Sequence, residues 1–137
     1  MKTSHMLHAA LLAAAGALYA VPGLAQAPGI QRTDLVQHDI SVPGHQGVQV
    51  RVDFAAGAFA PKHTHPGEEI AYVLEGTLEY QLGEQPPVRL RAGEALFIPA
   101  GTPHSARNVG KGRASELATY IVRKDAPLVA PLVAPAK

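Results

Sequence analysis

Hydrophobic and polar residues alternate with a period of two through much of the chain after position 34. The clearest run is 48–54. Val48, Val50, Val52 and Phe54 form one face, and Gln49, Arg51 and Asp53 form the other. That is a strand with one buried side. Residues 69–75 behave differently. Glu69, Ala71 and Val73 share one face, while Ile70, Tyr72 and Leu74 make the opposite face apolar as well. A strand apolar on both faces needs cover on both, from a second sheet or a partner subunit. Further strands are predicted over 78–82, 88–91 and 95–99, in a segment opened by His104, and over 117–122.

Gly and Pro clusters separate these runs: Val42-Pro43-Gly44, Gly76-Thr77, Pro86-Pro87, Ala92-Gly93 and Ala100-Gly101-Thr102-Pro103. They are turn signals. No stretch of the mature chain carries helical periodicity. Short strands at close spacing with Gly/Pro turns predict an all-β sandwich or barrel in a single domain.

The ends lie outside this pattern. Residues 1–25 hold Lys2, an apolar run from Leu7, and then Pro22, Gly23 and small residues. This is the layout of a secretory signal peptide. The alternative, a membrane anchor, is disfavoured by the short span and its break at Pro22-Gly23. Cleavage is expected after Ala25, with Ala27 as the alternative. The leader has no twin arginine, so Sec-type export unfolded to the periplasm or outside the cell is expected. Residues 26–34 read as an extended lead-in, 35–123 as the domain, and 124–137 as a tail repeating Ala-Pro-Leu-Val. A proline at every fourth position excludes a central strand. The tail is expected to be exposed, with packing along a sheet edge as the alternative.

Composition narrows the chemistry. The 137-residue chain has no cysteine, so disulfides, thiolate metal sites and cysteine nucleophiles are excluded. Its formal charge is +1, and loss of Lys2 with the leader leaves a balanced mature chain. Nothing points to a nucleic acid, or to a membrane once the leader is removed.

The candidate chemistry centres on His63-Thr64-His65-Pro66-Gly67-Glu68-Glu69. In a strand, residues i and i+2 face the same side, so His63 and His65 converge. Pro66-Gly67 lets the chain return and bring a carboxylate to the same point. Imidazole nitrogens with one carboxylate suit a first-row divalent metal. Adjacent Glu68 and Glu69 face opposite ways, so only one can serve. His104 follows a Gly/Pro turn and supplies a fourth ligand if its strand lies beside the first. Lys62 and Arg107 adjoin these residues with the wrong parity to reach the same point. His38 and His45 read as exposed or turn residues.

At this point the sequence resembles the cupin superfamily. Gly57, His63, His65, Glu69 and Gly76 match its first motif, G-x5-H-x-H-x3-E-x6-G. Gly93, Pro99, Gly101, His104 and Asn108 match its second, G-x5-P-x-G-x2-H-x3-N. The resemblance implies a jelly-roll barrel, the cupin double-stranded β-helix, over about 35–123. It implies a divalent transition metal held by His63, His65, Glu69 and His104, and it selects Glu69 over Glu68. Gly76, Gly93 and Gly101 then serve turns. Asn108 is expected to bond backbone rather than metal.

Zinc, copper, nickel, iron and manganese are not separated by this ligand set, although competition favours copper, nickel and zinc. A redox-active ion could activate oxygen, whereas zinc would polarise substrate or water. Two functions follow from the resemblance. One is a metal-dependent enzyme on a small organic, aromatic-type substrate, of which a quercetinase-like dioxygenase is the specific form. The other is a non-catalytic small-ligand or metal-binding protein of the envelope. Ala71, Val73, Ala106 and Ala118 predict an apolar interior. Tyr80, Tyr120 and Arg51 are the acid–base candidates. A homodimer is expected from the doubly apolar strand.

Overall fold

The alternation at 48–54 is part of a longer strand, β2 (His45–Phe54), whose side chains are buried at every second position. In the computed structural model, which describes residues 27–132, nine other strands accompany it: β1 (Ile30–Asp39), β3 (Phe59–Thr64), β4 (Gly67–Glu75), β5 (Thr77–Leu82), β6 (Val88–Arg91), β7 (Ala95–Ile98), β8 (His104–Asn108), β9 (Ala114–Arg123) and β10 (Ala130–Pro131). There is no helix among the described residues. The predicted leader lies outside them.

The strands form two antiparallel five-stranded sheets, ordered β1-β2-β9-β4-β7 and β10-β3-β8-β5-β6. The inner faces meet in one core built from Val50, Phe54, Ala71, Val73, Leu78, Tyr80, Ala118, Tyr120 and Val122. Burial of these apolar faces is the main force that holds the sheets together. The all-β class expected from the turn spacing, and the jelly roll that the resemblance implies, are the observed architecture.

Register places the chemistry. On the first sheet, β4 and β9 pair Glu69 with Tyr120, Ala71 with Ala118 and Val73 with Glu116. On the second, β3 and β8 pair His63 with His104. A bulge between Ala60 and His63 lets β3 change course just before its histidines. The histidine strands and the glutamate strand therefore belong to opposite sheets and face each other across the barrel.

The structure refines three sequence expectations. The lead-in is extended, as expected, but already belongs to the first sheet: β1 starts at Ile30 and pairs with residues 46–54 of β2. It is an edge strand exposed over most of its length, so no apolar alternation marks it. The tail is exposed, as expected, and takes the edge-packing alternative. β10 lies along β3, with Ala130 opposite Thr64 and Pro131 opposite His63, and Leu132 N–H donates to the Lys62 carbonyl at 3.0 Å. Proline is tolerated there because β10 is an edge strand. Finally, the second sheet covers only one face of β4. Ile70, Tyr72 and Leu74, with Phe97 beside them on β7, remain between 41% and 57% exposed.

Asn108 acts on the backbone. Its side-chain amide donates to the carbonyls of Phe54, Ala55 and Gly112 at 2.8–3.1 Å, and its Oδ1 accepts from Gly110 N–H at 2.9 Å. It thereby ties the end of β2 to the turn between β8 and β9. Asn108→Ala leaves several main-chain groups without partners in a nearly closed site. The expected loss is about 2–3 kcal/mol in urea denaturation, with metal affinity of the folded fraction unchanged.

Candidate metal centre

Each histidine arrives by a different local device. His63 is the last residue but one of β3, beyond the bulge, and His65 lies just past the strand's end. His104 opens β8 after the Thr102-Pro103 turn. The ligand nitrogens of the three lie within 4.8 Å of one another. The His63 and His104 ring centres are 4.3 Å apart. Glu69 enters from the facing sheet, and its Oε2 lies 3.0 Å from His65 Nε2 and 3.2 Å from His104 Nε2. Glu69 is buried and Glu68 is exposed, as strand parity requires. Lys62 and Arg107 point outward, Lys62 toward Glu84 and Arg107 over the Phe59 ring. His38 and His45 bond only local carbonyls through Nδ1.

The second ring nitrogens show how the rings are held. Nδ1 of His63, His65 and His104 contacts the carbonyl oxygens of Pro61, Leu128 and Thr102 at 2.7, 2.5 and 2.8 Å. A carbonyl can only accept, so each Nδ1 carries the proton. Each Nε2 is left to present its lone pair toward the other two rings and Glu69. This is the arrangement that metal-binding histidines require of their outer partners.

Two buried atoms within the group lack a hydrogen-bond partner, His65 Nε2 and Glu69 Oε2. They lie 3.0 Å apart, and with the His65 proton on Nδ1 both are acceptors and cannot bond each other. Burying such atoms unpaired is unfavourable, and a cation between them would satisfy both. The residues present therefore fit a divalent ion.

The electrostatics reflect the crowding. Burial, with smaller contributions from the neighbouring imidazoles, pulls His63 down to about 4. Burial raises the Glu69 carboxyl, but the close approach of His104 and His65 outweighs it and holds the group at about 2. Burial lowers His104, and the Glu69 carboxylate more than reverses that.

The interior beyond the ligands is not wholly apolar, which corrects the expectation drawn from its alanines. Glu116 of β9 is buried, and Tyr80 of β5 donates its hydroxyl to it from the opposite sheet. Arg32 of β1 supplies a positive charge felt at both Glu116 and Tyr120. The Tyr120 ring centre lies 4.7 Å from that of His65. Arg51 bonds Asp53 at 3.0 Å and plays no part in this group. The sequence did contain a signal for Glu116: it shares the inward parity of Ala118, Tyr120 and Val122.

Burial, then the Glu69 charge, pushes Glu116 up to about 7. A carboxyl raised on folding contributes stability below its unfolded value near 4.5 and loses it as pH rises through about 7. Glu116 by itself thus costs the metal-free protein stability from pH 5 to pH 8, and Glu116→Gln is expected to remove that component of the slope in urea melts. A cation on Glu69 would cancel the second cause and leave burial alone.

The family model described as Cupin domain matches residues 50–120. The chain belongs to the cupin family. This cupin is 44% identical over 52 residues to dimethylsulfoniopropionate lyase DddQ of Ruegeria pomeroyi, covering 38% of this chain and 26% of that protein. It is 40% identical over 78 residues to oxalate oxidase 2 of Hordeum vulgare, covering 51% of this chain and 35% of the relative. A solved oxalate oxidase structure superposes with a TM-score of 0.63 at 28% identity, over 79% of this chain and 57% of that one. The cupin spans about a quarter to two-fifths of the length of the curated relatives it matches.

Proposed function

We propose that this cupin binds a divalent transition metal through His63, His65, Glu69 and His104 and acts as an enzyme on a small organic molecule. The observation that carries this reading is the shared orientation of the three rings, with every Nδ1 on a carbonyl and every Nε2 turned inward. Glu69 adds a negative oxygen from the opposite sheet. Four protein ligands leave room for water or substrate, and the ion would supply Lewis acidity there or, if redox-active, oxygen activation. The protein's own contribution is to hold the imidazoles as neutral donors and to keep the ion away from bulk water. Tyr80 and Glu116 set a proton-bearing pair within the same barrel, which favours catalysis over storage. The catalysed relatives named above act on small molecules, oxalate in one case and dimethylsulfoniopropionate in the other.

Elemental analysis of protein taken from its native compartment tests the metal, and near-stoichiometric content is expected. A total lack of metal overturns the reading. Turnover assays on phenols, flavonoids, oxalate and dimethylsulfoniopropionate, following oxygen uptake and product, then separate a dioxygenase from a lyase or an oxidase. Saturable binding of a ligand without any turnover would favour the envelope binding protein instead. The leader-like start supports export as part of the same proposal, and the N-terminus of the mature protein would show the cleavage point.

The uncovered face of β4 supports a homodimer. Ile70 and Phe97 are direct neighbours across β4 and β7, and Ile121 of β9 extends the same surface. A second copy apposing this face would remove it from water. Sedimentation equilibrium at micromolar concentration is expected to give the dimer mass, and Ile70→Lys the monomer mass. A wild-type monomer contradicts the assignment.

A further inference from the structure

The three outer hydrogen bonds of the histidines are not alike. His63 and His104 bond carbonyls two residues away in their own segments, Pro61 and Thr102. These partners come with the local turn. His65 bonds the carbonyl of Leu128, sixty-three residues away in the repeated Ala-Pro-Leu-Val segment. That segment is held in place by little else. Ala130 and Pro131 pair with Thr64 and His63, Leu132 N–H reaches the Lys62 carbonyl, and the Leu128 side chain packs against the core. The strap thus docks on the strand that carries His63 and leads directly into His65.

We propose that the C-terminal segment is a working part of the metal centre, in which the Leu128 carbonyl positions His65 by holding its Nδ1–H. This rests on the metal reading above. Without that acceptor, either ring nitrogen of His65 can carry the proton and the ring is free to turn. Nε2 is then offered to the ion only part of the time. With it, one tautomer and one orientation are fixed before the ion arrives. Loss of such outer partners typically weakens metal affinity by about 10–100-fold. The prolines suit this task. Pro127 and Pro131 cannot donate to a further strand, so the strap closes the edge at β3 without templating another chain.

Two variants test the proposal by competition titration of zinc against a chromogenic chelator. A chain ending at Asp125 removes the strap. A second variant keeps every side chain and replaces only the Leu128–Val129 amide with an ester, whose carbonyl is a weaker acceptor. Ligation at position 126 through a cysteine later desulfurised to alanine gives this product, since the chain has no other cysteine. Zinc affinity is expected to fall about tenfold or more in the truncated chain and by a smaller factor in the ester. Ring 15N shifts of the metal-free ester variant should change at His65 and stay fixed at His63 and His104. A strap that merely stabilised the sheet would leave all three rings alike. Equal affinity in the ester variant and the intact chain, with unchanged His65 shifts, overturns the positioning role while the metal site stands. Failure of the intact chain to bind zinc, copper, nickel, iron or manganese overturns both.

Discussion

His63→Ala is expected to lower metal affinity by more than about a hundredfold, because losing a ligand should exceed the 10–100-fold effect of losing an outer partner. His63 is suited to this test because it is only partly enclosed and its removal leaves no large cavity. The metal-free variant should fold. It should also tolerate acid better than the parent. Burial pulls His63 from 6.5 to about 4, so the unfolded chain binds a proton that the folded chain refuses. Stability contributed by the neutral ring is intact above about 6.5 and is lost as pH falls toward 4. Alanine carries no such proton. Isothermal titration with zinc checks the affinity, and urea melts at pH 7 and pH 5 check the slope. Full affinity in the variant would mean that the site has been wrongly assigned.

Gly67→Ala should have the largest effect on the fold. A methyl group there would sit 2.0 Å from the Ile121 carbonyl oxygen and 2.7 Å from the Val122 Cα. These are main-chain atoms of the paired strand β9, so no side chain can swing aside. Overpacking of a core commonly costs about 1–3 kcal/mol, and a clash with fixed backbone lies at or above the top of that range. The damage falls two residues from Glu69, where β4 pairs with β9. Loss of metal binding should therefore accompany the drop in melting temperature. Gly101→Ala is the useful contrast. Its φ of +69° favours glycine, but open space surrounds it, so only about 1–2 kcal/mol of backbone strain is expected.

The two glycines show where the sequence stopped being legible. Pro66-Gly67 was readable as a turn, and its offset from the histidines was visible. The close approach of β9 was not, because Ile121 and Val122 are more than fifty residues away and only pairing brings them there. Glu116 stands between these cases. Its inward parity was written in the strand pattern, while its partner Tyr80 on the other sheet was not. β1 was missed for a simpler reason. An edge strand exposed to water has no need of apolar alternation, so periodicity cannot find it.

Alternation of period two determined the strands and the all-β class, because pleated strands must turn alternate side chains toward one core. Local spacing placed His63 and His65 on one face, and the two motifs named Glu69 and His104 as their companions. The tertiary structure decided what spacing cannot carry. It set His63 against His104 by register and brought Glu69 in from the opposite sheet. It also turned a proline-rich tail into the acceptor that holds His65. Hydrogen bonds between distant segments depend on how sheets pair and pack, and no local pattern of residues encodes the partner.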